Sequence, residues 1–182
     1  METTQTLRDE HVLIRAALRA FAALADKLER GEKVPEKVVA GALDFFANFA
    51  DGHHHAKEER ILFPALEHAG MPVQGGPLGV MLYEHEHGRM LLARLRKALP
   101  AVADSADARR EFVAVARGYA QLLDDHIEKE NEILFRMADR MLPVPDAQEV
   151  QDQFALLDED ARAGGKLEAF QKAVEELTDV AA

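Results

Sequence analysis

The chain writes one short unit twice: His54, Lys57, Glu58, Leu62 and Phe63 recur at the same spacing as His126, Lys129, Glu130, Leu134 and Phe135. Residues four apart on an α-helix are offset by only about 40°, so each unit sets an imidazole and a carboxylate on one helical face. Phe45, Phe46, Phe49, Leu62 and Phe63 surround the first unit, and Leu122, Leu123, Ile133, Leu134 and Phe135 the second. Neighbours this apolar direct the polar faces inward. An interior does not tolerate several imidazoles and two carboxylates unless they are paired or neutralised by metal, because each uncompensated ion costs several kcal/mol. Two such faces turned towards each other in a helix bundle describe a site for a pair of transition-metal ions.

Helical periodicity runs through the rest of the chain, and nothing alternates as a strand. Leu7, Ile14, Leu18, Phe21, Leu24 and Leu28 mark one face of a helix over residues 6–30, ended by Gly31, with His11 on the same stripe. A second helix is expected from Pro35 to His68, long enough to bend near Gly52 or Pro64. The Gly- and Pro-rich stretch 70–77 is a loop. A third helix follows from Leu78 to Leu99 and a fourth from Asp107 to Met141, ended by Pro143. The pattern predicts an all-α protein, an antiparallel up-down-up-down four-helix bundle over residues 1–143. Residues 144–182 then form a C-terminal helical hairpin, broken at Gly164-Gly165, that packs on the bundle or on a second subunit in a possible homodimer.

With 182 residues, 48% hydrophobic and 30% charged, the chain can bury one continuous core. A net charge of −11 without a basic stripe argues against nucleic acid as a partner. Zero cysteines exclude disulfides, thiolate metal sites and thiol catalysis by these residues. No signal-like start and no apolar run of membrane-spanning length are evident, so no membrane contact and a cytoplasmic location are expected.

Each of the four main helices contributes a histidine to the same problem: His11, the 53–55 cluster, His85 and His126. Nitrogen and carboxylate donors without sulfur suit iron, manganese or zinc. His55 stands beside His54 and three before Glu58, close enough to join the ligands, to act as an outer hydrogen-bond donor, or to replace His54 in a swapped pair with Glu59. His53 and His87 are expected to be exposed, His68 to sit at a helix C-terminus, and Lys57 and Lys129 to be rim charges. Tyr119 shares the His126 face and is expected mainly to pack in the core, whereas Tyr83 points elsewhere.

His11, the run HHxKEExxLFP from His54 to Pro64, the segment Met-Leu-Tyr-Glu-His85-Glu-His-Gly-Arg89 and HIxKENxxLF from His126 to Phe135 together resemble the hemerythrin-like HHE cation-binding proteins. The resemblance covers about Leu7 to Met141. It implies a non-haem di-iron centre with two carboxylate-bridged iron ions held by His11, His54, Glu58, His85, His126 and Glu130, with Glu58 and Glu130 bridging. Manganese or zinc is possible from the ligand types. His55 joins the set by analogy with the iron-sensing hemerythrin-like domain of an F-box protein.

The family's oxygen carriers pair two histidines four apart on the third helix and use HxxxxD on the last. Here Met81 and Arg89 flank His85, and the last unit is HxxxE. The pattern therefore looks closer to the iron-sulfur repair and iron-sensing branches, without the N-terminal cysteine-bearing domain of the repair proteins. The implied function is binding of, or reaction with, oxygen, nitric oxide or peroxide in sensing, scavenging or stress response. The alternatives are a ferroxidase or peroxidase and, further off, a structural interaction bundle.

Overall fold

A computed structural model describes residues 3–182 and contains no strand among them. α1 (Gln5–Glu29) buries Leu7, His11, Ile14, Leu18, Phe21, Leu24 and Leu28 along one face. The chain turns at Gly31, whose φ of 77° lies in the left-handed region that a Cβ would disfavour.

Residues 36–68 form one unbroken helical rod of changing pitch. It runs through α2 (Glu36–Phe45), a π-helical stretch Phe46–His55, a second π stretch Glu58–Leu62 and α3 (Phe63–His68). The disturbance expected near Gly52 and Pro64 thus takes the form of widened turns. A Cβ on Gly52 would lie 3.2 Å from the Ala47 carbonyl oxygen, which favours glycine there. Pro64 would crowd the carbonyl four residues back in a regular α-turn, and the widened turn before it makes room.

α4 (Pro77–Ala98) starts with proline in its first turn, where the missing N–H breaks no bond. After a 3₁₀ turn at Leu99–Ala101, Ser105 caps α5 (Ala106–Lys129) by accepting the Ala108 N–H at 3.2 Å. A π stretch Glu130–Leu134 and α6 (Phe135–Met141) complete that rod. The widened turn after Glu130 repeats the one after Glu58. In each, the following Phe63 or Phe135 N–H donates to the glutamate carbonyl five residues back. Arg136 occupies the place of Pro64 in the second copy, so proline is accommodated by this turn and is not its cause. α7 (Val144–Ala163) and α8 (Lys166–Ala181) follow. Pro145 fits in the first turn of α7, where its missing N–H breaks no bond.

α5 packs on both α1 and α4, α8 on α1 and α2, and α7 on the π stretch Glu58–Leu62. The apolar interior is in two parts. One gathers Ile14, Phe21, Phe45, Phe46, Phe112 and Leu123, and the other Leu7, Phe63, Leu78, Met81, Phe135 and Phe154. Between them lies a layer of buried His11, His54, His55, Glu58, His85, His126 and Glu130. Each buried aromatic contributes about 1.5–3 kcal/mol, a gain that one uncompensated ion costing several kcal/mol would cancel. The layer persists only if its charges are compensated. Among the described residues, no helix is long and apolar enough to cross a membrane.

Candidate metal centre

The seven buried side chains divide into two donor groups with one member in common. Donor atoms of His55, Glu58, His85 and His126 all lie within 4.8 Å of one another, and so do those of His11, His54, Glu58 and Glu130. Both glutamates straddle the groups. Glu58 turns Oε2 to His85 Nε2 at 3.5 Å and Oε1 to His54 Nε2 at 3.8 Å. Glu130 turns Oε1 to His126 Nε2 at 3.3 Å and Oε2 to His11 Nε2 at 3.2 Å. All four of these carboxylate oxygens, with His11 Nε2 and His54 Nε2, are buried without a hydrogen-bond partner. Left so, each would cost about 1–3 kcal/mol or more. The orphaned donor set fits a pair of cations.

The imidazoles are oriented from outside. His54 Nδ1–H donates to Glu10 at 2.8 Å, His55 to Asp51 at 3.3 Å, His85 to Glu59 at 2.7 Å, His126 to Glu84 at 3.0 Å and His11 to Asn131 Oδ1 at 3.0 Å. A carboxylate can only accept, so Nδ1 bears the proton and Nε2 presents its lone pair to the interior. The periodicity of the sequence does not reveal these five acceptors, yet a local signal marks every one. Glu10 and Glu84 directly precede His11 and His85, Glu59 and Asn131 directly follow Glu58 and Glu130, and Asp51 lies four before His55.

Electrostatics give the same picture. His85 and His126 bring their Nε2 atoms to 3.1 Å, two lone pairs that need a cation or proton between them. Burial disfavours charge on His126, but Glu130 and Glu84 outweigh it and raise its pKa to about 9. Burial lowers His54 and His55 to about 3. Burial and then the neighbouring Glu130 push Glu58 well above the usual carboxylate range. For Glu130, burial is outweighed by His126 and His11, and its carboxyl is held well below that range. A single proton on one glutamate and another on His126 partly substitute for what two metal ions would supply.

The hemerythrin HHE cation-binding domain profile matches residues 2–138. The chain belongs to the hemerythrin HHE family. It is 33% identical over 130 residues to the iron-sulfur cluster repair protein YtfE of Dickeya chrysanthemi, covering 68% of this chain and 58% of that one. Against the YtfE of Musicola paradisiaca it is 32% identical over 140 residues, covering 74% and 61%. A third relative, the uncharacterized protein Rv1995 of Mycobacterium tuberculosis, is 23% identical over 177 residues, covering 97% of this chain and 68% of its own length. The matches to the repair proteins thus span about three fifths of their length.

Within this HHE domain neither Met81 nor Arg89, four residues to either side of His85, joins the donor groups. The His55 ring lies against His85 with centroids 3.8 Å apart, while Met81 is buried in the apolar core and Arg89 pairs with Asp51 at 2.8 Å and Glu59 at 2.5 Å. The structure brings His55 together with Glu58, His85 and His126, and His54 together with Glu58, His11 and Glu130. Glu59 instead serves His85 from outside.

Three expectations, for Lys57, His53 and His87, are corrected. Lys57 is no rim charge: it is fully buried, its ammonium between Glu10 and Asp158, over the ring of Phe154. His53 is not exposed either, because Asp158 and Glu10 hold it at 2.9 and 3.4 Å. Lys129 remains partly exposed and meets Glu84. His87 is half-buried, with its ring 6.3 Å from that of the exposed Tyr83. His68 is exposed at the end of α3. Tyr119 is buried, its ring 5.2 Å from Phe46.

Proposed function

We propose that this HHE chain holds two non-haem iron ions, bridged by Glu58 and Glu130, and reacts with oxygen, nitric oxide or peroxide in a stress response. One ion would be held by His55, His85 and His126, the other by His11 and His54. The observation that carries the reading is the pair of glutamates, each with its two buried, unpartnered oxygens facing opposite donor groups. The repair function in the names of the relatives supports a role in iron-sulfur cluster maintenance. Iron with nitrogen and carboxylate ligands supplies redox chemistry and an open coordination position.

The chain's own part is to hold and shield. The outer acceptors fix each imidazole with Nε2 inward. Phe135 stacks on His11 at 5.4 Å and Phe63 on His85 at 5.9 Å, walls that keep water from the donors and leave a small uncharged molecule as the favoured visitor. Of the described residues, 3–143 are the up-down-up-down bundle that builds this centre, and 144–182 a helical hairpin added to it.

The test is metal analysis of protein purified without added metal, followed by absorption spectra before and after oxygen, nitric oxide and peroxide. Two irons per chain and an oxo-bridge charge-transfer band that changes with at least one of them are expected. A fully iron-loaded protein that responds to none would end the proposal.

A further inference from the structure

One partner of the metal layer comes from outside the segment that matches the family. Asp158 lies on α7, beyond residue 138, and its Oδ1 meets the Lys57 ammonium at 2.5 Å and His53 Nε2 at 2.9 Å. Lys57 in turn meets Glu10, which accepts from His54 Nδ1 at 2.8 Å. Four residues before Asp158 on the same face, buried Phe154 presents its ring 5.8 Å from the ammonium. Glu10, His53 and Asp158 are close enough to hold an ion of their own. Lys57 already fills that place, its ammonium against both carboxylates. The cluster is a closed chain of pairs, not a third metal site.

We propose that Asp158 is a positioning residue for the ion at His11 and His54. By holding Lys57 and His53 it fixes Glu10, and through Glu10 the His54 ring, so that docking of α7 and retention of this one ion are coupled. The inference rests on the ligand assignment proposed above. The other half of the centre supplies the contrast. There Lys129 meets Glu84, which accepts from His126, and no residue of 144–182 takes part among the pairs described. Burial opposes charge on Asp158, yet His53 and Lys57 outweigh it and lower its pKa, so the carboxylate is charged when it docks. Without Asp158, a fully buried ammonium would have Glu10 alone, and Glu10 would be drawn from His54 towards Lys57.

The experiment uses the iron-loaded full chain and follows chelator-driven metal release together with amide hydrogen exchange in α7. Asp158→Asn is expected to speed release of one ion of the two by roughly tenfold, the lower end of what outer partners contribute to metal affinity. The second ion keeps its wild-type rate. Exposed Glu159→Gln, which makes the same charge change one residue away, leaves both rates unchanged. In wild type, metal removal should speed exchange in α7, and in Asp158→Asn that dependence should shrink.

A purely structural role would lower stability and release both ions alike, and that result overturns the proposal, as do unchanged release rates. If Asp158→Asn does not fold, the paired change Lys57→Met with Asp158→Leu removes both charges without leaving one orphaned, and it must show the same one-ion acceleration. Wild-type loading that survives Glu58→Ala would instead overturn the ligand assignment and this inference with it. Two-ion loading lost in Glu58→Ala, with normal release in Asp158→Asn, overturns the inference alone.

Discussion

On the second rod, His54 donates to Glu10, Lys57 meets the same Glu10, Glu59 accepts from His85, and Phe63 stacks on His85. On the fourth, His126 donates to Glu84, Lys129 meets Glu84, Asn131 accepts from His11, and Phe135 stacks on His11. One scheme is built twice, and the halves part at three places. His55 has only Ile127 as its counterpart, charged Glu59 faces neutral Asn131, and buried Lys57 is covered by Asp158 where Lys129 is partly open. A carboxylate behind an imidazole makes the ring a stronger donor than an amide does. The His55, His85 and His126 group therefore has three strengthened imidazoles, and the His11 and His54 group one. Two ions held as proposed would be made unequal mostly by residues that touch neither.

The largest break in this comparison comes from Glu58→Ala, which removes the residue common to both groups. Loss of both ions in metal analysis is expected, and a variant that still held two would show that Glu58 is not shared. Next in size is the pH response of metal-free protein, where the halves act with opposite sign. His54 and His55 fall from 6.5 to about 3 on folding, so their contribution is complete above pH 6.5 and is lost as pH drops towards 3. His126 rises to about 9, so its contribution is complete below pH 6.5 and is lost as pH rises through 9. Denaturant midpoints should peak between these limits, and a monotonic profile would contradict the opposed halves.

His55→Ile, which copies Ile127 into the first half, should weaken the His85 and His126 ion by more than the roughly 10–100-fold typical of an outer partner. Equal weakening of both ions would argue that His55 serves the pair as a whole. The smallest and most pointed comparison sets Glu10→Gln beside Glu84→Gln. Each should cost about 10–100-fold in affinity for its own ion. Only the Glu10 change leaves a fully buried ammonium with one carboxylate, Asp158, in place of two, so it should also lose about 1–3 kcal/mol of metal-free stability, read from chemical denaturation.

Much of this was legible because helix periodicity and the duplicated unit act over short distances. The helical rods and the loop before Pro77 follow from spacing, and the gathering of His11, His54, His85 and His126 from that spacing together with the family resemblance. The fate of Lys57 did not, since a lysine three residues after a ligand histidine reads the same whether it meets solvent or Asp158. That partner lies far along the chain, and only the docking of α7 brings it close. The pairing of Glu59 with His85 was hidden for a similar reason: it crosses between rods, and a carboxylate next to a ligand carboxylate offers no period to detect.

The widened turns after Glu58 and Glu130 have a consequence for chain length. A π turn holds one more residue than the α turn it replaces, so each rod reads as a helix with a one-residue insertion just past its ligand. Such an insertion shifts the phase of everything after it by about 100°. Leu62 with Phe63, and Leu134 with Phe135, reach the interior in that shifted phase. Deleting a single residue after the glutamate in either stretch would remove none of the proposed ligands, yet it would return the rod to its earlier phase and swing the stacking phenylalanine off its imidazole. At this centre the number of residues in a turn is as much a part of the chemistry as their identity.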